Sequence, residues 1–222
     1  MKRHILISAC ALLLVANAAK AQVKWGVTTG LSLSQWDGQA VNSLQSLVAV
    51  TKGMAQTSMS PGWFIGANAA IPISERVTIE PGLYYTQKGY RFRGDLEVPK
   101  LNFLGANVSA QVRSHYIDMP VVMRVEVAKG LSLYAGPQIS YLAANDLKLG
   151  AGLLGINFIH QSIPMTNLFN RWDAAVTGGL AYQFSNGINF NAGYDYGLTR
   201  VDKAGAFKSF NRVIKIGIGY RF

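Results

Sequence analysis

Apolar and polar residues take turns along almost the whole chain after residue 22, and a period of two sorts side chains only on a β-strand. The first run is the clearest. Val23, Trp25, Val27, Thr29, Leu31 and Leu33 share one face, and Lys24, Gly26, Thr28, Gly30, Ser32 and Ser34 share the other. Seven further runs follow, at 63–71, 77–86, 117–127, 131–141, 172–184, 188–199 and 214–222. The sequence therefore predicts eight strands and offers no competing helical stripe. Pro81, Pro120 and Pro137 fall inside runs, where bulges are expected because proline cannot donate to a ladder. Short turns at 72–76, 128–130 and 185–187 alternate with long loops at 35–61, 91–113, 144–170 and 200–211. An even number of antiparallel strands with one short-turn rim and one long-loop rim predicts an all-β, eight-stranded up-and-down barrel.

The opening residues have a different pattern. Met1-Lys2-Arg3-His4 is a basic start, Ile5–Ala16 is an apolar stretch, and Ala19-Lys20-Ala21 is a small-x-small site before Gln22. This predicts a secretory signal peptide over 1–21 and a barrel domain over 22–222. Ile7-Ser8-Ala9-Cys10 looks like a lipobox, but too little apolar sequence precedes Cys10. The 222-residue chain has 21 Lys+Arg, 11 Asp+Glu and one Cys. Cleavage after Ala21 would leave 222 − 21 = 201 residues, no cysteine and a balance of 18 − 11 = +7. Disulfide scaffolds and thiolate metal sites are thereby excluded from the exported domain.

Alternation alone does not say which face points outward. A soluble lipid-binding barrel in the periplasm would turn its apolar face in. Three features favour apolar-out. The acids avoid the apolar faces: Glu80, Asp118, Glu126, Asp173 and Asp195 lie on polar strand faces, and the others lie in loops or turns. The aromatics sort toward the two strand ends. Trp25, Tyr182, Phe184, Phe190, Tyr220 and Phe222 lie at the short-turn end, and Trp63, Tyr85, Tyr116, Tyr141, Trp172, Tyr194 and Tyr196 at the long-loop end, as membrane interfaces require. The polar face carries six bases, Lys24, Lys88, Arg124, Arg171, Lys215 and Arg221, against those five acids. Such a near-neutral set suits a narrow lumen in which buried charges need partners. The expected structural network is Glu80, Lys88, Asp118, Arg124, Glu126, Asp173, Asp195, Lys215 and Arg221, with Glu80 and Arg124 in direct contact.

The chain closes on Lys215-Ile216-Gly217-Ile218-Gly219-Tyr220-Arg221-Phe222. This resembles the C-terminal signal of bacterial outer-membrane barrels, with Lys215, Gly217, Tyr220 and Phe222 at the matching positions. Ile79-Glu80-Pro81-Gly82-Leu83-Tyr84-Tyr85 and Tyr116-Ile117-Asp118-Met119-Pro120 look like two strands of the PorT-like outer-membrane β-barrel family, with Asp118 in place of that family's Glu. The resemblance implies an outer-membrane location, recognition by the barrel-assembly machinery and, for some members, a link to secretion machinery. It supplies no functional residue.

A catalytic reading needs a nucleophile, a base and an orienting group within reach. His115 beside Ser114, and His160 near Ser162, are the only histidines after the leader. Adjacent Ser and His on a strand point to opposite faces, so no enzyme, cofactor or metal is expected. A membrane-embedded lipid-modifying enzyme using His115 or His160 as base is the alternative. Function is expected in the long loops. Loop 91–113 has Arg91, Arg93, Lys100 and Arg113 against Asp95 and Glu97, and loop 200–211 has Arg200, Lys203 and Lys208 against Asp202. Expected partners are outer-membrane lipid and lipopolysaccharide, and an envelope or secretion-system protein, but not nucleic acid. The apolar run Leu149–Ile159 is anomalous for an exposed loop.

Overall fold

A computed structural model describes residues 23–38, 55–97, 105–153, 156–164, 166–203 and 208–222. The leader over 1–21 lies outside these residues. The strands are β1 (Lys24–Gly38), β2 (Ala55–Pro72), β3 (Val77–Glu97), β4 (Gly105–Ala128), β5 (Leu131–Leu153), β6 (Ile156–Pro164), β7 (Trp172–Gln183), β8 (Ile188–Arg200) and β9 (Ser209–Arg221). Every pairing is antiparallel, and β1 pairs both β2 and β9, which closes the sheet. The barrel wall is β1-β2-β3-β4-β5-β7-β8-β9, eight strands, and β6 is an additional strand on β5. Two of the short turns carry a glycine where the backbone needs positive φ, Gly130 at 78° and Gly187 at 91°.

Within the wall the chemistry is inverted relative to a soluble protein. Leu31 is 68% exposed and Ile216 59%, whereas Ser32 and Asp118 are fully buried. The apolar face thus points outward and the polar face fills the lumen. The aromatic ends are built from ring pairs. Trp63 with Tyr85 and Tyr141 with Trp172 lie at the loop end, and Tyr182 with Phe184 and Tyr220 with Phe222 at the turn end. Tyr116 is a correction to this set. It is 2% exposed and lies in the lumen under the Lys88 ammonium, because it shares the parity of Asp118.

The prolines also behave differently from expectation. The register runs unshifted past Pro81, Pro120 and Pro137, with gaps of two adjacent pairs in the ladders beside them. One absent donor interrupts a ladder without requiring an extra residue. Register shifts fall elsewhere, including the Met59–Phe64 stretch of β2 and the His115/Tyr116 position of β4.

The largest departure concerns the long loops. Stretches 91–113 and 144–170 are mostly strand: β3 and β4 pair as far as Glu97↔Gly105, and β5 pairs β6 from Asp146↔Pro164 to Leu153↔Ile156. Their register rows alternate in composition. Tyr90↔Val112↔Leu147 is a lumen-side row, and the register continues through Phe92↔Ala110↔Leu149, Gly94↔Val108↔Ala151 and Leu96↔Ala106↔Leu153. Arg91↔Gln111↔Lys148 is an outward row, and the alternate register pairs beyond it are Arg93↔Ser109↔Gly150 and Asp95↔Asn107↔Gly152. Above the aromatic belt these strands therefore carry Arg91, Gln111 and Lys148 outward and Tyr90, Val112 and Leu147 inward. Of the apolar run Leu149–Ile159, the described residues 149–153 and 156–159 belong to the β5 and β6 ladder.

Candidate functional site: a neutral lumen and an extended sheet

Two strand-borne clusters and the single carboxylate of Asp173 account for the charged residues of the lumen. At the turn end, the Glu80 carboxylate on β3 lies 2.8 Å from Arg124 on β4 and 2.6 Å from Arg221 on β9. Higher up, Asp118 on β4 takes Lys88 at 2.8 Å and Lys215 at 2.9 Å, and Lys215 also takes Asp195 at 2.7 Å. Gln138 donates to Ser140 and to Asp195, and Lys88 donates to Ser140. Asp173 stands beside this chain of contacts and accepts from Asn211 at 2.8 Å.

Glu126 is not brought into this set. It is exposed next to the short turn, where its carboxylate accepts from the Gly130 backbone N–H. Lys24 and Arg171 are exposed at the strand ends, and Arg171 donates to the Tyr141 hydroxyl. The parity of these residues was readable, but their height along the strand decides whether they lie in the lumen. Among the described residues, the lumen then holds Glu80, Asp118, Asp173 and Asp195 against Lys88, Arg124, Lys215 and Arg221, a balance of 4 − 4 = 0.

Between the two ion-pair clusters and the turn end lies a cavity of about 80 Å³ lined by Glu80, Tyr84, Arg124, Tyr134, Lys215 and Arg221, among others. A water needs roughly 10–15 Å³ of such space, so the cavity has room for a few waters. Above it, Thr86, Tyr116, Leu142 and Val213 are buried in the bore. Eight strands leave an interior that side chains can fill, and here they fill it.

Arg212 is the base that departs from the polar-face pattern, at a strand end, and the sequence did not show what holds it there. Its strand parity is outward, yet it is 7% exposed because its guanidinium lies 3.7 Å from the centre of the Tyr196 ring, donates to the Gly197 carbonyl and meets Asp37 at 3.2 Å. The signal for it was Tyr196 preceding a long connection, a pairing visible only once β8 and β9 are aligned.

His115 lies on the outward face of β4, hydrogen-bonded through Nδ1 to the Tyr85 hydroxyl, with Asp146 3.9 Å from Nε2. Ser114 is buried on the opposite face. His160, on β6, pairs with Gly150 of β5, six positions along β5 beyond Ala144, the partner of His115. That separation is roughly 20 Å along the strands, so the two histidines do not form one site. Among the described residues no group of three or more His, Cys, Asp or Glu side chains is placed to hold a metal.

The final strand places Gly217 toward the lumen, against Phe64, and Tyr220 and Phe222 outward with ring centroids 5.2 Å apart. The Phe222 N–H donates to the Trp25 carbonyl at 2.8 Å and continues the closing seam. A family model described as outer membrane protein beta-barrel domain matches residues 16–203. The chain belongs to this family. It is an outer-membrane β-barrel, which fixes the outward apolar face as its lipid-facing surface. Comparison with curated protein sequences finds no match. Among solved structures, the attachment invasion locus protein Ail of Yersinia pestis is 13% identical, with 90% of this chain and 98% of that one covered and a TM-score of 0.43. Neisserial surface protein A is 14% identical, with coverages of 89% and 97% and a TM-score of 0.41. OprG of Pseudomonas aeruginosa is 12% identical, with coverages of 91% and 97% and a TM-score of 0.37. Likeness at this level carries no argument about function.

Proposed function

We propose that this outer-membrane barrel is a non-enzymatic envelope protein of the PorT-like group that works as a structural or accessory component through its extended sheet. The observation that carries the reading is the division of labour along the strands. Lumen charges are neutralised against one another, while β3, β4 and β5 continue past the aromatic belt and β6 pairs β5 beyond it. Among the described residues β6 pairs on one side only. An unpaired strand edge offers backbone donors and acceptors to a partner strand, which favours an envelope or secretion-system protein as the docked species. Lys215, Gly217, Tyr220 and Phe222 are the proposed signal to the barrel-assembly machinery.

The test is a hairpin truncation. Replacing 92–109 and 149–162 by short turns is expected to leave a barrel that still shifts on boiling in a denaturing gel, and to abolish crosslinking to envelope partners in whole cells. Retention of every crosslink would remove the extended sheet from the function. The lipid-modifying alternative is tested with phospholipid and lipopolysaccharide substrates. Hydrolysis by wild type that disappears in His115→Ala or His160→Ala would overturn the non-enzymatic reading.

A further inference from the structure

We propose that the outward face of β3, β4 and β5, just above the aromatic belt, binds the phosphate of an outer-leaflet glycolipid headgroup. The register brings the residues together. Arg91, Gln111 and Lys148 form one cross-strand row, and Arg113 faces Asp146 in the next outward row toward the membrane. Directly opposite positions are about 5 Å apart at Cβ and diagonal ones about 7–8 Å. Arg113 is diagonal to both Arg91 and Lys148, so three cations from three strands surround the Gln111 position. Asp146 is the acid within these two rows, and the local balance is 3 − 1 = +2. That carboxylate is shared with His115, 3.9 Å away. Like charges on neighbouring strand positions repel, and an anion between them removes the repulsion. Guanidinium groups match phosphate in a two-pronged geometry.

Height selects the ligand. Ile117 pairs with both Tyr85 and Tyr141, which places it in the belt. Arg113 is four residues further along β4, about 13 Å of strand and about 10 Å of height at the usual tilt. Arg91 is six residues beyond Tyr85, about 20 Å of strand and about 15 Å of height. A glycerophospholipid phosphate sits close to the acyl boundary, near the aromatic rings. The proposed ligand carries its phosphates on sugar rings above the acyl chains, and the long side chains reach down over the remaining gap. The Tyr85–His115 pair forms a polar floor on the same face. This site follows from outer-membrane placement alone and stands whether or not the extended sheet docks a protein.

The probe is a bis-phosphorylated, acylated glucosamine disaccharide, offered in nanodiscs together with its dephosphorylated form and with phosphatidylglycerol. Lipids retained on the folded barrel are counted by native mass spectrometry. Wild type is expected to retain the phosphorylated glycolipid preferentially. Each of Arg91→Gln, Arg113→Gln and Lys148→Gln is expected to lower retention about fivefold, the factor set by one interfacial cation. Arg200→Gln/Lys203→Gln, exposed residues of β8 and the connection after it, should leave retention unchanged. Folding of each variant is checked by its shift on boiling, and since the three substituted side chains lie outside the lumen, the barrel is retained. Equal retention by the triple variant overturns the proposal. So does equal retention of the dephosphorylated glycolipid or of phosphatidylglycerol, and so does an equal loss in the Arg200/Lys203 control, which would mark a diffuse rim attraction.

Discussion

Glu80 serves two guanidinium groups with one carboxylate, Arg124 at 2.8 Å and Arg221 at 2.6 Å, and is itself 3% exposed. Neutralising it strands two cations in a confined lumen. Removing one partner of a buried ion pair costs about 3–5 kcal/mol, and Glu80→Gln is expected to fall in that range, read as a lowered midpoint of the boiling-dependent gel shift. An unchanged midpoint would show that the pairing is unimportant. The neighbouring cluster should respond unequally. Asp118 holds both Lys88 and Lys215, whereas loss of Asp195 leaves Lys215 with Asp118. Asp118→Asn is therefore expected to destabilise more than Asp195→Asn by the same gel assay, and equal effects would refute the hierarchy. The charged residues of this network were visible from strand parity, but parity also admitted Glu126, Lys24 and Arg171, which lie at the strand ends. Tyr116 shows the converse. Its aromatic character suggested a belt position, while its two-residue spacing from Asp118 put it inside.

At the scale of strands, close approach across the lumen fixes where glycine is required. A Cβ on Gly193 of β8 would collide with the Tyr134 hydroxyl from β5. Gly193→Ala should cost about 1–3 kcal/mol through overpacking, and Tyr134→Phe in the same chain should recover part of it, because the offending atom is the hydroxyl oxygen. No recovery in the double variant would mean that backbone conformation sets the requirement. The hairpins beyond the belt were legible as composition but not as structure. Phe92, Ala110 and Leu149 share one register row of a ladder whose adjacent row holds Arg91, Gln111 and Lys148. Their alternation is broken by glycines at 94, 105, 150 and 152, so sequence reasoning ended each strand at the membrane boundary. The prolines misled in the opposite sense. A single missing donor marks a gap in pairing, and only an added residue shifts register.

For the molecule as a whole, lipid is the solvent of the outer surface. Ile216, 59% exposed on the outward face of β9, should tolerate leucine but not lysine. A lysine near the bilayer midplane costs about 2–4 kcal/mol in a barrel, so Ile216→Lys is expected to reduce folding yield into bilayers in urea titration, and an unchanged titration would contradict the lipid-facing assignment. The filled bore makes a second prediction. Planar bilayers containing the protein should show no steady ionic conductance, and stable openings would require a continuous path through the buried Tyr116 and Asp118 level.

The sequence by itself determined the number of wall strands, their alternation and the chemical division between the two faces, because a period of two is a local property of the backbone. Aromatic sorting toward the strand ends also placed the apolar face outward, since each ring's position along its run is counted residue by residue. Only the tertiary structure decided which charges meet. Glu80 and Arg221 are separated by 141 residues and touch because β9 closes on β1. The height of each charge, the burial of Arg212 under Tyr196 and the cluster of Arg91, Arg113 and Lys148 all depend on the stagger between neighbouring strands. That stagger is a relation among strands far apart in sequence, so no single run contains it.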